Sequence, residues 1–377
     1  MNNQNQKMTI TPSQLALFVI QTQVGVGVLS MPFSVFDAGA KTDGWISILL
    51  AGLVVQIIIF VYMFISKRFP NSNLYLILES VFGKWLGKFL ILIHVVYFIS
   101  VGAVILILFS SVLTIWAFPN TPQFLKVGIA VFTAWYLAKE NVRIIARFHV
   151  IVSVLLVLVI LLTVTAFTHA EYRYVLPIGH TGITNIILSA KAATLSLLGF
   201  EIFIILFATT EGTIKTKVKA ATIANVTVTV IYAYLAFTCY IFFSPEEIGL
   251  VPQPILYLIK SFSFIVLERT DLIFLTVWMV SVMTSFVGYL YIASLGTAIL
   301  FNKTNHSPFV WGICLIVFLF SVSPHNVLRI GTISELISNI GGVFSFIFPF
   351  IILAVAILFK RKESNDSKAG QKGVSST

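Results

Sequence analysis

Charged residues are scarce in this chain. Only 10% of its 377 residues are Asp, Glu, Lys or Arg, whereas 58% are hydrophobic, and the mean hydropathy is +1.00. A soluble domain of this length could not bury so much apolar surface. Because a chain in hydrocarbon must satisfy its own backbone hydrogen bonds, only helices or a closed barrel can span a membrane, and continuous apolar runs favour helices. The composition therefore predicts an all-α membrane protein.

Cysteines and catalytic motifs are equally scarce. Cys239 and Cys314 are the two cysteines, and both lie inside apolar runs, which favours a packing role over a disulfide or a metal pair. The sequence contains no P-loop, no dinucleotide-binding glycine fingerprint, no HExxH and no GxSxG. Acidic residues and histidines are too sparse for a hydrolytic site. We therefore expect no enzymatic activity, no catalytic or metal-binding residues and no cofactor.

The net charge of +10 does not indicate nucleic-acid binding, because the Lys and Arg residues are spread over short loops between apolar runs. If the N-terminus is cytoplasmic, the inner segments hold about twice as many of these residues as the outer ones. The positive-inside rule thus predicts that both termini are cytoplasmic. Residues 1–13 form the N-terminal segment, and residues 360–377 are predicted to be a disordered tail because they are polar and rich in Gly, Ser and Lys.

Ten apolar runs approach or exceed the length needed to cross about 30 Å of hydrocarbon. The predicted first repeat, residues 14–168, contains Gln14–Phe36, Trp45–Ser66, Phe89–Phe118, Phe124–Ala138 and Phe148–Thr168; the predicted second repeat, residues 186–359, contains Ile186–Thr209, Ala220–Phe243, Leu272–Phe301, Phe309–Val322 and Leu336–Phe359. The third and eighth runs are the longest, and the fourth and ninth are the shortest. These matched irregularities predict a 5+5 inverted repeat, because an odd number of spans inverts the second half. Coincidence is the alternative.

The long outer connection at residues 244–271 contains an apolar stretch that is too short to span the membrane. We expect it to form a lid at the outer surface.

Two of the apolar runs contain residues that interrupt helices. The sequence from Gly25 to Pro32, GVGVLSMP, lies at the middle of the first run, where two glycines and a proline disfavour a continuous helix. The sequence from Leu197 to Glu201, LLGFE, lies at the equivalent position of the sixth run. Paired interruptions predict broken helices around a small-solute site. The alternative is close packing through small residues, with only a kink at the proline.

Glu201 is the one acidic residue that we place near the membrane centre. It is predicted either to carry a proton coupled to solute movement or to accept hydrogen bonds from the N–H groups freed by the break. On the third run, Tyr97 and Val101 lie one helical turn apart. On the eighth run, Val287 and Tyr291 adjoin a small polar face.

These features resemble the spore germination permeases, the B subunits of nutrient germinant receptors of endospore-forming bacteria, within the amino acid–polyamine–organocation superfamily. The resemblance covers Ile10 to about Phe359 and implies a LeuT-type fold. It further implies a spore inner-membrane protein that senses an amino acid or a sugar, with two partners, a larger A subunit and a lipoprotein C subunit. By position, it matches Gly25, Tyr97, Val101, Gly199 and Tyr291 to the germinant pocket. The other predicted ligand-binding residues are Val26, Gly27, Leu198, Phe200, Glu201 and Val287.

The leading hypothesis is therefore a germinant-sensing subunit that binds a small solute, best a zwitterionic amino acid, and signals through its partners. A proton-coupled amino-acid transporter without a signalling role is the alternative, and a triggered ion- or solute-conducting subunit is a third. The first break lacks the polar residues expected of sodium-coupled relatives, which argues against sodium coupling. Membrane lipid is an expected partner, and nucleic acid is not.

Overall fold

The structure, a computed structural model, describes residues 9–262, 269–323 and 327–363. Every regular element in these residues is helical, as predicted, and short 3-10 and π segments extend several of the α-helices. The α-helices are α1 Pro12–Gln23, α2 Gly27–Val35, α3 Gly44–Arg68, α4 Leu74–Phe82, α5 Lys84–Trp116, α6 Gln123–Ala138, α7 Val142–Ser153, α8 Leu155–Val164, α9 Ile183–Ser196, α10 Ile202–Leu206, α11 Ile214–Phe242, α12 Pro245–Ile248, α13 Pro254–Lys260, α14 Thr270–Leu300, α15 Ser307–Val322, α16 Val327–Gly342 and α17 Phe348–Leu358.

Ten membrane-spanning segments can be traced through the described part of the chain. Six helical stretches are long and apolar enough to cross a membrane, and α6 and α15 are shorter apolar helices. One of the six, Gly27–Arg68, is interrupted at Gly39 (φ +116°), which separates α2 in the first segment from α3, the second. The first and sixth segments each consist of two half-helices, α1 with α2 and α9 with α10. The predicted count of ten and the 5+5 inverted repeat are confirmed.

The two repeats pack against each other through equivalent helices. The two longest described α-helices, α5 with 33 residues and α14 with 31, belong to the third and eighth segments and pack together. Likewise α3 packs on α11, and α6 packs on α15. The core therefore lies between the repeats. The predicted matching of long and short segments is confirmed.

Two predicted boundaries are wrong. The last segment begins with α16 at Val327 rather than at residue 336, because Ser334 and Glu335 face a cavity inside the protein rather than lipid. The tail predicted to be disordered from residue 360 is ordered at Glu363, whose N–H donates to Arg68 O (3.0 Å) and whose carboxylate accepts from the Asn71 N–H (3.0 Å). Residues 1–8 of the predicted N-terminal segment and residues 364–377 of the tail lie outside the described residues.

The predicted lid at residues 244–271 contains α12 and α13, and its residues 263–268 lie outside the described residues. α13 packs with buried apolar side chains, among them Ile255 and Leu258, against α2, α8, α11 and α14. The Trp116 indole N–H at the end of α5 donates to Gln253 Oε1 (2.6 Å). The last two residues of the predicted lid belong to α14.

The side of the bundle where α1 begins, here called the N-side, is held by a cluster of backbone contacts. The Ile10 N–H donates to Thr209 O (3.0 Å), and the Glu211 N–H donates to Ile10 O (2.9 Å). Arg143 Nε, at the start of α7, donates to Thr9 O (3.0 Å). This N-side clamp joins the start of α1 to the end of the sixth segment. The opposite side of the bundle is called the far side.

Gly52 permits the close approach of α3 and α11. A Cβ added at Gly52 would lie 2.4 Å from Thr229 Cγ2 and Oγ1, and the β-branched threonine has little freedom to move away. We expect Gly52→Ala to reduce the stability of the purified protein by about 1–3 kcal/mol, seen as a lower melting temperature in detergent. The matched control is Gly312→Ala in α15, where an added Cβ meets nothing within 4 Å. Equal melting temperatures for the two variants would contradict this packing.

Candidate functional site

The first and sixth segments are both broken, as predicted, and their breaks touch. α1 ends at Gln23 and α2 begins at Gly27, while α9 ends at Ser196 and α10 begins at Ile202. Gly199 has a φ of +115°, and a Cβ on it would lie 2.8 Å from Thr22 O and 2.9 Å from Gln23 N. Only glycine fits this position, because it tolerates the positive φ and leaves room for the neighbouring backbone. The two repeats therefore meet backbone to backbone at the centre of the bundle.

Side chains satisfy the backbone carbonyls that the breaks release. Ser285 Oγ on α14 donates to Thr22 O (2.8 Å), and the Tyr232 hydroxyl on α11 donates to Gln23 O (2.9 Å). Gln23 Nε2 donates across to Leu197 O in the other break (2.8 Å). Non-helical backbone is tolerated at membrane depth only when such partners are present. Hydrogen bonds between four segments, the first, sixth, seventh and eighth, therefore stabilise the two breaks.

Glu201 satisfies a released N–H group in the same way. Its carboxylate accepts hydrogen bonds from the Gly199 N–H (2.7 Å) and the Tyr289 hydroxyl (3.1 Å), and the residue is only 4% exposed. This geometry matches the capping role among the two roles predicted for Glu201. The proton-carrying role stays a prediction.

A cavity of about 370 Å³ extends from the two breaks toward the far side, between α2, α5, α9, α14 and α16. Six of the predicted ligand-binding residues line it, namely Gly25, Val26, Gly27, Tyr97, Val101 and Leu198. Gly199, Phe200 and Glu201 lie behind its wall. The Phe200 ring packs instead near those of Tyr62 (6.2 Å between centroids) and Phe346 (5.4 Å).

The structure does not bring Val287 and Tyr291 to the cavity. Ser285 and Tyr289, one turn apart on α14, line it instead. A shift of two residues along a helix rotates a side chain by about 200°, so Val287 and Tyr291 face the other way. The Tyr291 ring packs edge-on against His306, 4.9 Å away. Placing these two residues in the pocket was therefore wrong.

The sequence-based prediction also missed most of the polar lining. The missed polar residues are Thr22, Gln23, Ser30, Ser34, Ser196, Ser285, Tyr289, Ser334, Glu335 and Ser338. One signal was present in the sequence, because Ser30 and Ser34 lie four residues apart within the first apolar run, which places them on one helix face. Glu335 is the charged member of the lining.

Three buried side-chain oxygens of residues that line the cavity have no hydrogen-bond partner among the described residues. These are Gln23 Oε1, the Tyr97 hydroxyl oxygen and Ser334 Oγ, and Gln23 and Tyr97 are only 3% and 4% exposed. Leaving such a group unpaired costs about 1–3 kcal/mol. A polar solute in the cavity can supply the missing partners.

Behind the cavity, α1 is fixed to α7 and α14 by paired polar groups. Thr284 Oγ1 donates to Gln21 Oε1 (2.8 Å), and Gln21 Nε2 donates to Ser153 Oγ (3.3 Å). His149 lies with Nε2 3.2 Å from Thr284 O, and its ring stacks on Phe18 with 4.1 Å between centroids. Both Oε1 and Nε2 of Gln21 are thus hydrogen-bonded within the protein, whereas Gln23 is bonded through Nε2 only.

A sequence model of a family described as spore germination protein, the spore permeases, matches residues 9–330. The chain belongs to this family. It is 25% identical to the spore germination protein YndE of Bacillus subtilis (strain 168) over 94% of this chain and 98% of that protein. It is also 25% identical to GerQB of Bacillus cereus, covering 90% and 93% of the two chains, and 21% identical to the spore germination protein KB of Bacillus subtilis, covering 96% and 98%.

Solved structures with a similar fold include that of a transporter. MhsT in complex with L-phenylalanine superposes with a TM-score of 0.68 at 16% identity, covering 94% of this chain and 90% of that chain. Mhp1, a nucleobase-cation-symport-1 family transporter, superposes with a TM-score of 0.63 at 12% identity, covering 96% and 82%. The predicted LeuT-type fold and the family resemblance are both confirmed. The chain is a multi-pass membrane protein of spore germination.

The position of Glu201 leads to a prediction about stability. Glu201→Ala leaves the buried Gly199 N–H and the Tyr289 hydroxyl without their acceptor, so we expect a loss of about 1–3 kcal/mol, measured by thermal unfolding in detergent. Glu201→Gln keeps an acceptor oxygen and is expected to lose clearly less. If the Gln variant were as unstable as the Ala variant, the negative charge rather than the capping geometry would be essential.

Proposed function

We propose that this spore permease is the ligand-sensing membrane subunit of a spore nutrient receptor. Its ligand is a small zwitterionic amino acid bound in the cavity at the two helix breaks. The protein lies in the spore inner membrane with both termini in the cytoplasm, has no enzymatic activity, and signals through the receptor A subunit and the lipoprotein C subunit. A sugar is a second ligand class, tested by the same experiments.

One observation carries this proposal: the cavity offers opposite partial charges close together. The N-terminus of α2 points into it, and its N-cap residue Val26 makes no side-chain capping bond. Free N–H groups and the helix dipole at such an end favour a carboxylate. The C-terminal end of α9 adjoins it, since Ser196 O lies 3.8 Å from where a Cβ on Gly27 would be.

The unpaired oxygens supply the complementary side of the site. Gln23 lines the cavity beside the carbonyl end of α9, and its Oε1, which accepts hydrogen bonds only, is buried without a partner among the described residues. An ammonium group there gains both a charge-assisted hydrogen bond and the favourable end of a helix dipole. The volume of about 370 Å³ lies near the lower end of the range of roughly 300–1,000 Å³ for ligand pockets, which suits a small solute.

The comparisons support the biological context of the proposal. GerQB and the KB protein are named as spore germination proteins, and MhsT binds an amino acid, L-phenylalanine, in a chain of the same fold. A membrane subunit that binds a nutrient and passes the change to partners accounts for both likenesses.

A proton-coupled amino-acid transporter is the second candidate, favoured by the N-side clamp. The cavity extends from the breaks toward the far side, and the contacts of Ile10 with Thr209 and Glu211 hold the N-side together. Releasing this clamp would give the alternating access that transport requires. Concentrative uptake by the purified protein in liposomes, without partner subunits, would favour this function over sensing.

Filling the cavity tests the binding site directly. A Cβ at Gly25 would already lie 3.0 Å from Ser285 Oγ, so the indole of Gly25→Trp must occupy the cavity. Across a panel of amino acids and sugars, we expect the compounds that raise the melting temperature of the wild-type protein to have no effect on this variant. We also expect the variant to assemble in the membrane. Gly312→Trp, at an open position on α15, is the control that keeps the response. A normal ligand response of Gly25→Trp would refute the site.

Two buried glutamines on α1 allow a sharper test of ligand chemistry. Gln23→Leu removes the unpaired acceptor together with the Nε2 bond to Leu197 O. We expect it both to lower the melting temperature and to weaken binding of the responding amino acid about 10- to 100-fold, the value of a charge-assisted hydrogen bond. Gln21→Leu breaks only bonds within the protein, so it should lower the melting temperature while leaving the ligand Kd unchanged. Calorimetric titration of both variants provides the comparison. Equal affinity in Gln23→Leu and the wild type would place the ammonium elsewhere.

A further inference from the structure

A second concavity lies on the outside of the bundle, between α3, α9, α16 and the π segment at Val343–Ile347. This lateral groove has a volume of about 820 Å³. Its walls are almost entirely aliphatic and aromatic; they include Leu53, Ile57, Ile187, Val343, Phe346 and Ile347. Lys191, Thr194 and Asn339 are its polar members.

Lys191 is an unusual residue for this position. It lies eight residues after Ile183, the first residue of α9, hence about 12 Å from the far-side end of that helix. The side chain is exposed in the groove and has no hydrogen bond or ion pair with the described residues. A lysine at membrane depth costs several kcal/mol unless an anion or water compensates it.

The surroundings of Lys191 determine what the anion can be. The groove lies on the outside of the bundle between membrane-spanning segments, so its apolar wall would face hydrocarbon in a membrane. A ligand that pairs with the ammonium group must therefore also bury apolar chains against Leu53, Ile57 and Val343. A phospholipid with a net negative charge meets both requirements, since its phosphate neutralises the lysine and its acyl chains cover the wall.

We propose that the lateral groove is a binding site for an anionic phospholipid. The phosphate pairs with Lys191, and an acyl chain lies along α3 and the π segment. The Asn339 amide, on the facing helix, is available to hydrogen-bond the polar part of the lipid. This inference depends on the membrane location of the chain and is independent of which solute the central cavity binds.

The lipid would contact the wall of the central cavity. Leu195 lines both the lateral groove and the central cavity, and its Cδ2 lies 3.3 Å from where a Cβ on Gly342 would be. A lipid in the groove therefore restricts the side chain that separates it from the solute. Bound lipid and bound solute are expected to affect each other through this residue.

The test uses the purified full chain in a non-ionic detergent, titrated with phosphatidylglycerol or with phosphatidylcholine. Bound lipid is counted by native mass spectrometry, and stability is followed by the melting temperature. We expect the wild type to retain phosphatidylglycerol several-fold better than phosphatidylcholine. Lys191→Gln should lose this preference and Lys191→Arg should keep it. Lys41→Gln, which removes another exposed far-side lysine outside the groove, should also keep it.

Two further arms identify the source of the phosphate. Ile57→Trp fills the groove and should abolish the retention of phosphatidylglycerol although Lys191 is intact. Inorganic phosphate at the same concentration should neither displace the lipid nor raise the melting temperature. The proposal is overturned if the two lipids bind the wild type equally, if Lys191→Gln keeps the preference, or if free phosphate replaces the lipid. Cross-linking of residue 191 to a helix of another receptor subunit instead of to lipid would likewise overturn it.

Discussion

The need to satisfy backbone polar groups without water governs the centre of this protein. A break in a membrane helix releases N–H and C=O groups that lipid cannot bind. Here side chains satisfy the groups that each described break releases: Ser285 and Tyr232 from other segments serve the first, and Gln23 from the first segment and Glu201 from the sixth segment itself serve the second. Two of these residues, Ser285 and Gln23, also line the central cavity. The cavity and the fold therefore depend in part on the same hydrogen bonds.

Much of the fold could be predicted from the sequence, because lipid imposes a simple rule on composition. Apolar runs of membrane length revealed the spans, and glycines within two of them revealed the breaks. The predictions failed where polar residues inside a span face the protein interior. Ser334 and Glu335 made α16 look too short, although the helix begins at Val327. Contacts between distant residues, such as Gln23 with Leu197, leave no local pattern in the sequence.

The candidate site was predictable in its location and less so in its detail. Gly25 and Gly27 pointed to the cavity because glycine in a membrane helix is informative by itself. On α14 the rotational setting of the helix had to be known, since Ser285 and Tyr289 face the cavity while Val287 and Tyr291 do not. That setting is decided by packing against α1 and α5, and a helix that is buried on most sides shows little amphipathic asymmetry from which to read it.

The contact of Gly199 with the Thr22–Gln23 backbone has a mechanical consequence. The C-terminal end of α1 is held there, and the N-side clamp holds the N-terminal end of α1 to the end of the sixth segment. The two half-helices α1 and α10, from opposite repeats, are thus joined at both ends. Any motion that opens the N-side has to move both half-helices together and to bend the chain at the two breaks. The cavity adjoins both breaks, so a change in the angle of these half-helices changes the shape of the cavity.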